Sequence, residues 1–219
     1  VCETRMESGA EILVVINGSP YERDKVDVRM NFAVARVTET ELPLIYVNQV
    51  GGQDELVFDG GSFVLGADRR MVAASKQFVD DLTLTEWNRT NDGWTCTSDD
   101  MAEWIEGSER LYQAMVLGLR DYVNKNGFPG VVLGLSGGID SGITAVVAVD
   151  ALGADRVHCV MMPSPYTSED SLVDAAAASK LLGVRLDEIN IEPAMGAFDA
   201  MLAPLFAGAP PDTTEENIQ

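Results

Sequence analysis

The chain has 219 residues, of which 46% are hydrophobic, enough for a sizeable core and too many for a disordered chain. It carries 15 Lys and Arg against 35 Asp and Glu, a formal net charge of -20. Such a field repels nucleic-acid backbones, and no apolar run approaches the ~20 residues of a membrane span. We therefore expect neither a nucleic-acid partner nor a membrane partner.

The cysteines Cys2, Cys96 and Cys159 are odd in number and show no metal-ligand spacing. This usage predicts a reducing, cytoplasmic compartment without disulfides or zinc. His158 is the only histidine, which argues against a histidine-based triad. We interpret it as a core or interface residue.

Both ends of the sequence lie in helical patterns. Residues 3–8 have the pattern of a helix end, and residues 213–219 that of a helix N-terminus with a Thr cap and acidic first turn. The first residue is Val rather than Met. We expect a piece of a longer polypeptide.

The N-terminal half begins with a strand, a helix and a strand, over residues 11–16, 22–40 and 44–48. The two strands are continuous apolar runs, which are typical of burial on both faces. A right-handed crossover unit is therefore expected, followed by late antiparallel strands in an α/β sandwich. The elements predicted next are a loop over 51–61 and strands over 62–65, 71–75 and 78–84.

Residues 86–107 are polar and predict a linker, although Trp87, Trp94 and Trp104 suggest that it packs against something. A helix over 108–125 follows. The order then alternates as strand, helix, strand, helix, strand and helix, which predicts the start of a doubly wound parallel sheet with ligands at the strand C-termini. These elements are expected over residues 130–133, 142–149, 156–162, 168–182, 184–189 and 193–205.

A glycine-rich turn at residues 134–141 joins the first strand of this second half to its helix. Unpaired N–H groups and the helix dipole favour an anion there. The loop has no Lys, so it is not a Walker A loop, and it has no Gly-x-Gly-x-x-Gly fingerprint. Its serines and paired glycines suit pyrophosphate, and Asp140 suits a Mg²⁺ ion that neutralises it. Such a loop fits cleavage of ATP between the α and β phosphates.

The run at residues 136–141 resembles the SGGxDS signature of the N-type ATP pyrophosphatases, also called PP-loop ligases. These include NAD synthetase, GMP synthetase, asparagine synthetase and several tRNA-modifying enzymes. Residues 9–21, 36–40 and 46–60 resemble the later part of a nitrilase-type glutaminase domain. A nitrilase-type domain followed by a PP-loop domain resembles the glutamine-dependent NAD synthetase family. Residues 163–219 resemble the same family.

This resemblance implies an α/β chain made of two parts. The first is the C-terminal part of a nitrilase-like α/β sandwich over residues 1–85. A linker over 86–107 precedes the start of a doubly wound domain, of the adenine nucleotide alpha hydrolase type, over 108–219.

The resemblance also implies a two-step ligase. ATP adenylates the nicotinate carboxylate of deamido-NAD, and ammonia from glutamine hydrolysis displaces AMP. The resemblance further implies a homo-oligomer. Two alternatives stay open: another PP-loop pyrophosphatase, of the tRNA-modifying or GMP synthetase kind, and a non-catalytic nucleotide-binding module. The net charge disfavours the tRNA-modifying alternative.

By the same resemblance, Ser19 and Lys25 would bind glutamine, and Asp140 would bind the metal. An exposed helix residue is the alternative for Lys25. The glutaminase Cys, Glu and Lys are expected upstream of residue 1, and we interpret Cys2 as a small helix residue rather than the nucleophile. Deamido-NAD contacts are expected beyond residue 219. The residues expected to bind ATP are Gly134, Leu135, Ser136, Gly137, Gly138, Ile139, Asp140, Ser141 and Met162. Met162 would contact adenine through backbone atoms, and the alternative is that it is an ordinary core residue.

Overall fold

The computed structural model describes residues 9–205. Its contacts divide the chain into two compact units, with the boundary between Asn124 and Lys125. Helices and β-strands occur in both units, so the predicted α/β class is confirmed. The domain boundaries expected at residues 85 and 107 stay predictions.

The first unit contains a four-stranded sheet in the order β1-β2-β5-β6. Strands β1 and β2 are parallel, and Leu13 lies opposite Leu44, whereas β5 and β6 are added antiparallel. The predicted crossover unit with late antiparallel strands is confirmed. The elements of this unit are β1 (Leu13–Asn17), α1 (Lys25–Thr40), β2 (Leu44–Asn48), β3 (Val50–Gln53), β4 (Leu56–Asp59), β5 (Phe63–Leu65), β6 (Met71–Ala74), β7 (Glu86–Thr90), β8 (Gly93–Thr97) and α2 (Gly107–Lys125).

Helix α1 packs against this sheet along one face. Its buried residues are Arg29, Ala33, Val37 and Thr40, which recur every three or four positions as one face of an α-helix requires. The apolar members join a core cluster from β1, β2 and β5. Glu41 ends the helix in the left-handed conformation, with φ of 57°.

Two predictions for this half were wrong. The predicted loop over 51–61 contains the antiparallel hairpin β3–β4, whose turn places Asp54 at φ 51°. The predicted strand over 78–84 is not a strand. There Phe78 lies at φ 61°, and the Asp81 carboxylate accepts hydrogen bonds from the backbone of Lys76 and Leu82.

Residues 86–107 hold the hairpin β7–β8, and their tryptophans pack as predicted. Trp94 donates its indole N–H to Glu11 over 3.2 Å. Trp104 meets Phe63 edge to face, with ring centroids 5.9 Å apart, and donates to the Ser75 carbonyl over 3.0 Å. These contacts attach the segment to the first unit.

The second unit contains a parallel sheet in the order β11-β10-β9, so the predicted alternation of strands and helices is confirmed. Ser168 caps α4 by accepting the Ser171 N–H over 3.2 Å, and Gly183 ends that helix at φ 69°. A single 3₁₀ turn, Ala154–Arg156, precedes β10. The elements are β9 (Val131–Gly134), α3 (Ile139–Leu152), β10 (Val157–Met161), α4 (Glu169–Leu182), β11 (Arg185–Glu188) and α5 (Glu192–Leu202).

His158, on β10, is half-buried rather than a core residue, and its Nε2 lies 2.9 Å from the Asp187 carboxylate. Arg185 also binds this carboxylate with two hydrogen bonds. The bonds from Arg185, and then that with His158, lower the pKa of Asp187 below its ordinary value. Within residues 9–205, Cys96 and Cys159 are free, and no helix is both long and apolar enough to span a membrane.

Replacing Val37 by Ala should destabilise the first unit by about 2 kcal/mol, because the side chain is fully buried and leaves a cavity. Val28 lies on the same helix but is 42% exposed. Val28→Ala should change stability by less than about 0.5 kcal/mol, since little burial is lost and Ala favours helix. Urea unfolding of the two variants measures the difference, and equal losses would contradict this packing.

Candidate functional site

The candidate nucleotide loop leaves the end of β9 and enters α3. Leu135 is buried, and its N–H donates to the Val160 carbonyl over 2.9 Å, which extends the β9–β10 ladder by one bond. Gly138 is the residue before the helix and has extended backbone angles. The loop therefore lies at the C-terminal end of the parallel sheet, where open α/β sheets bind ligands.

Gly137 lies against the first turn of α4. Its φ is +82°, a conformation that side chains rarely adopt. A Cβ on this residue would lie 2.2 Å from the carbonyl oxygen of Ser171. Both observations require glycine, so the loop can take this path only with no side chain at this position.

The two serines of the loop bind each other across it. Their hydroxyl oxygens are 3.0 Å apart, and the Ser141 hydroxyl accepts the Ser136 N–H over 3.1 Å and donates to the Gly138 carbonyl over 3.0 Å. The Gly138 N–H donates to the Ser136 hydroxyl over 3.3 Å. These short links hold the loop in a closed turn.

The N-terminus of α3 is open to a ligand. No side chain caps it in the described chain, so the N–H groups of its first turn remain available as donors. They and the helix dipole favour an anion. Asp140 lies in this turn and is exposed.

Residues 9–205 contain no cluster of three or more His, Cys, Asp or Glu that could hold a metal ion by itself. Mg²⁺ commonly takes one or two carboxylates and completes its shell with water and substrate phosphates. One exposed carboxylate beside an anion-binding helix end fits that pattern. Asp140 is thus compatible with Mg²⁺ held jointly with a phosphate group.

A cavity of about 740 Å³ opens beside this loop and has a largely apolar wall. Gly134, Leu135, Ser136, Gly138 and Met162 line it, and Met162 is half-exposed rather than core. Gly137, Ile139, Asp140 and Ser141 are not among its lining residues, so the structure brings part of the predicted set to the cavity. Lining residues that sequence reasoning missed are Val160, Tyr166, Thr167, Ser168, Ser171, Ile191, Ala194, Met195 and Phe198.

The missed residues follow one signal. They lie at the end of β10, in the connections that follow β10 and β11, or in α4 and α5, the helices that those connections enter. Since parallel strands bring their C-termini to one edge, the alternation of strands and helices already indicated this region. The sequence did not indicate which side chains of this region line the cavity, because that depends on how α5 packs.

Ser19 and Lys25 lie in the first unit, on either side of the turn that leads into α1. Ser19 is buried, and its N–H donates to the Asn48 side-chain oxygen over 3.0 Å. Lys25 is partly exposed and forms an ion pair with Glu22. Cys2 and the helical patterns over 3–8 and 213–219 lie outside the described residues.

The family model described as NAD synthase matches residues 111–219. The glutamine-dependent NAD(+) synthetase of Rhodobacter capsulatus is 51% identical over 212 residues, which cover 97% of this chain and 38% of that protein. The chain belongs to the glutamine-dependent NAD(+) synthetase family. It spans about two fifths of the length of the curated relatives it matches.

Solved structures agree with this family assignment. The glutamine-dependent NAD+ synthetase of Acinetobacter baumannii, in complex with ADP, matches with a TM-score of 0.91 and 40% identity over 99% of this chain and 41% of that chain. The enzyme of the same name from Cytophaga hutchinsonii matches with a TM-score of 0.77 at 15% identity, over 97% of this chain and 41% of that one. The second match concerns the fold alone.

Gly137→Ala should abolish nucleotide binding and destabilise the second unit, because a Cβ would collide with the Ser171 carbonyl. Gly196, within α5, has open space around its Cα, so Gly196→Ala should preserve binding and favour the helix. Titration of ATP into each variant, with thermal melting alongside, compares them. Full ATP affinity in Gly137→Ala would show that the close approach is dispensable.

Proposed function

We propose that the protein carrying this chain makes NAD from deamido-NAD, ATP and glutamine. The nicotinate carboxylate attacks the α phosphorus of ATP, which gives an acyl adenylate and releases pyrophosphate. Ammonia then attacks the acyl carbon, AMP leaves, and the amide loses a proton. The observation that carries the proposal is the lysine-free loop closing on the open N-terminus of α3, in a chain of this family.

The loop supports cleavage between the α and β phosphates. Backbone N–H donors at a helix N-terminus can bind the departing pyrophosphate, and this does not require a Lys directed at the γ phosphate. In this proposal residues 134–141 hold the phosphates, and Met162 lies near adenine. A relative solved in complex with ADP supports an adenine nucleotide as the ligand of this family.

Asp140 is proposed to hold Mg²⁺ together with the phosphates. When bound, the ion neutralises charge on the phosphate oxygens and so favours departure of pyrophosphate. The exposed position of Asp140 in the first turn of α3 supports this role, because the carboxylate can reach a phosphate-bound ion.

The first unit is proposed to be the later part of a nitrilase-like glutaminase. In this proposal Ser19 and Lys25 bind glutamine, while the Cys, Glu and Lys that hydrolyse it belong to the protein outside this chain. The resemblance of residues 9–60 to that domain and the strand end at Asn17 support the assignment, since a hydroxyl at a strand C-terminus suits an amide ligand.

The domain division stays part of the proposal: residues 1–85 as the glutaminase part, 86–107 as the linker and 108–219 as the start of the synthetase domain. A homo-oligomer in the cytoplasm is proposed with it. The odd number of cysteines and the absence of cystine among residues 9–205 support a reducing compartment.

In the full-length protein, Asp140→Asn should abolish NAD formation with either glutamine or ammonia, because the charge that holds the metal is lost. Glutamine hydrolysis should continue, since that reaction takes place elsewhere. Chromatographic detection of NAD, AMP and glutamate measures both reactions.

Asp174→Asn is the matched control, because Asp174 is an exposed carboxylate on α4. It should form NAD at the parent rate. If the parent protein forms no NAD with either nitrogen source, the proposed function is wrong. Equal loss of glutamine hydrolysis and NAD formation in Asp140→Asn would instead assign the loop to the stability of the whole protein.

A further inference from the structure

A buried ion pair lies beneath the turn that carries Ser19. Arg29 on α1 is 7% exposed, Asp59 at the end of β4 is fully buried, and their closest charged atoms are 2.7 Å apart. Burying an Arg and an Asp is costly unless every polar atom finds a partner. The partners of Arg29 therefore indicate what the pair accomplishes.

The guanidinium divides its donors between Asp59 and the turn. Nη1 donates to Asp59, whereas Nη2 donates to the carbonyls of Ser19 and Pro20 over 2.9 and 3.0 Å. Nε donates to the Ser19 hydroxyl oxygen over 3.0 Å. The rigid fork of an Arg thus reaches the carboxylate, two carbonyls and a hydroxyl at once.

Asn48 holds the same serine from the other side. Its side-chain oxygen accepts the Ser19 N–H over 3.0 Å, and its amide nitrogen donates to the Gly60 carbonyl over 3.0 Å. Every backbone polar group of Ser19 is therefore bound. The hydroxyl proton is the remaining donor of this residue.

The direction of the Ser19 hydroxyl proton follows from the donors and acceptors around it. A guanidinium has no acceptor, so Ser19 can only accept from Arg29, and its single hydroxyl proton must point elsewhere. Among residues 9–205 the Ser19 hydroxyl donates to no group. A charged donor on the oxygen also strengthens the donor capacity of its own proton.

We propose that Arg29 is a positioning residue of the glutamine site, one that makes the Ser19 hydroxyl a hydrogen-bond donor to an oxygen of bound glutamine. The inference rests on the proposed function and deepens it. It assigns the polarity of the contact: Ser19 faces a carboxylate or carbonyl oxygen and not the amide nitrogen of the substrate. Lys25, the second donor of the proposed pocket, matches such an oxygen.

The experiment uses the full-length protein, with NAD formation measured against glutamine concentration at saturating ATP and deamido-NAD. Arg29→Lys keeps the charge beside Asp59 but cannot reach Ser19 with the same fork. It should raise the KM for glutamine about tenfold, as expected for one lost hydrogen bond, and leave kcat within about threefold.

Ser19→Ala should raise the KM for glutamine by a similar factor. The double variant that combines Ser19→Ala with Arg29→Lys should show no further rise in the KM for glutamine, because both changes remove the same donor. Arg29→Gln with Asp59→Asn neutralises both members of the buried pair and should repeat the Arg29→Lys result. Arg36→Lys is the matched control, since Arg36 is an exposed member of a surface ion pair on the same helix, and its KM should be unchanged.

The failures are distinguishable. A parent protein that forms no NAD with glutamine or ammonia overturns the proposed function. An unchanged KM in Ser19→Ala overturns the assignment of Ser19, and with it this inference. With Ser19→Ala impaired, an unchanged KM in the Arg29 variants overturns the role of Arg29 alone, as does a fall in kcat at constant KM, which reports a loss of folded protein.

Discussion

The second unit depends on one close approach, that of Gly137 to the carbonyl of Ser171. With a hypothetical Cβ only 2.2 Å from that oxygen, the loop and the first turn of α4 are effectively in contact through backbone. Gly138, the residue before α3, lines the cavity together with Ser168, the cap of α4, and Ser171. Because an unpaired helix N-terminus attracts anions, the same constraint that shapes the turn also forms the proposed phosphate site.

The first unit uses a different solution to hold a polar turn. There the positions are set by charged and amide side chains, Arg29, Asp59 and Asn48, which come from three separate elements and meet beneath Ser19. A glycine loop needs only backbone, whereas this turn needs a buried ion pair in which each guanidinium nitrogen donates a hydrogen bond. The two units thus use two different ways of fixing the turns that are proposed to bind ligands.

Much of the fold could be predicted because periodicity reports burial. The run from Leu13 to Asn17 and the helix around Val37 followed from apolar patterns, and the parallel order of β9, β10 and β11 followed from alternation. The hairpin β3–β4 was not predicted because its glycines and acidic turn have the composition of a loop. Whether such a segment forms a strand depends on its pairing with a partner strand. Likewise, the φ of +61° at Phe78 is imposed by tertiary contacts that no local pattern reveals.

The candidate nucleotide loop could be proposed from the sequence because its residues are consecutive. The cavity walls and the Arg29 network could not, since they join residues distant in sequence. The central claim is that this loop releases pyrophosphate. The direct test is ³¹P NMR of the full-length protein turning over ATP with deamido-NAD and ammonia. AMP and pyrophosphate should accumulate in equal amounts with NAD. ADP and inorganic phosphate as the primary products would contradict the account.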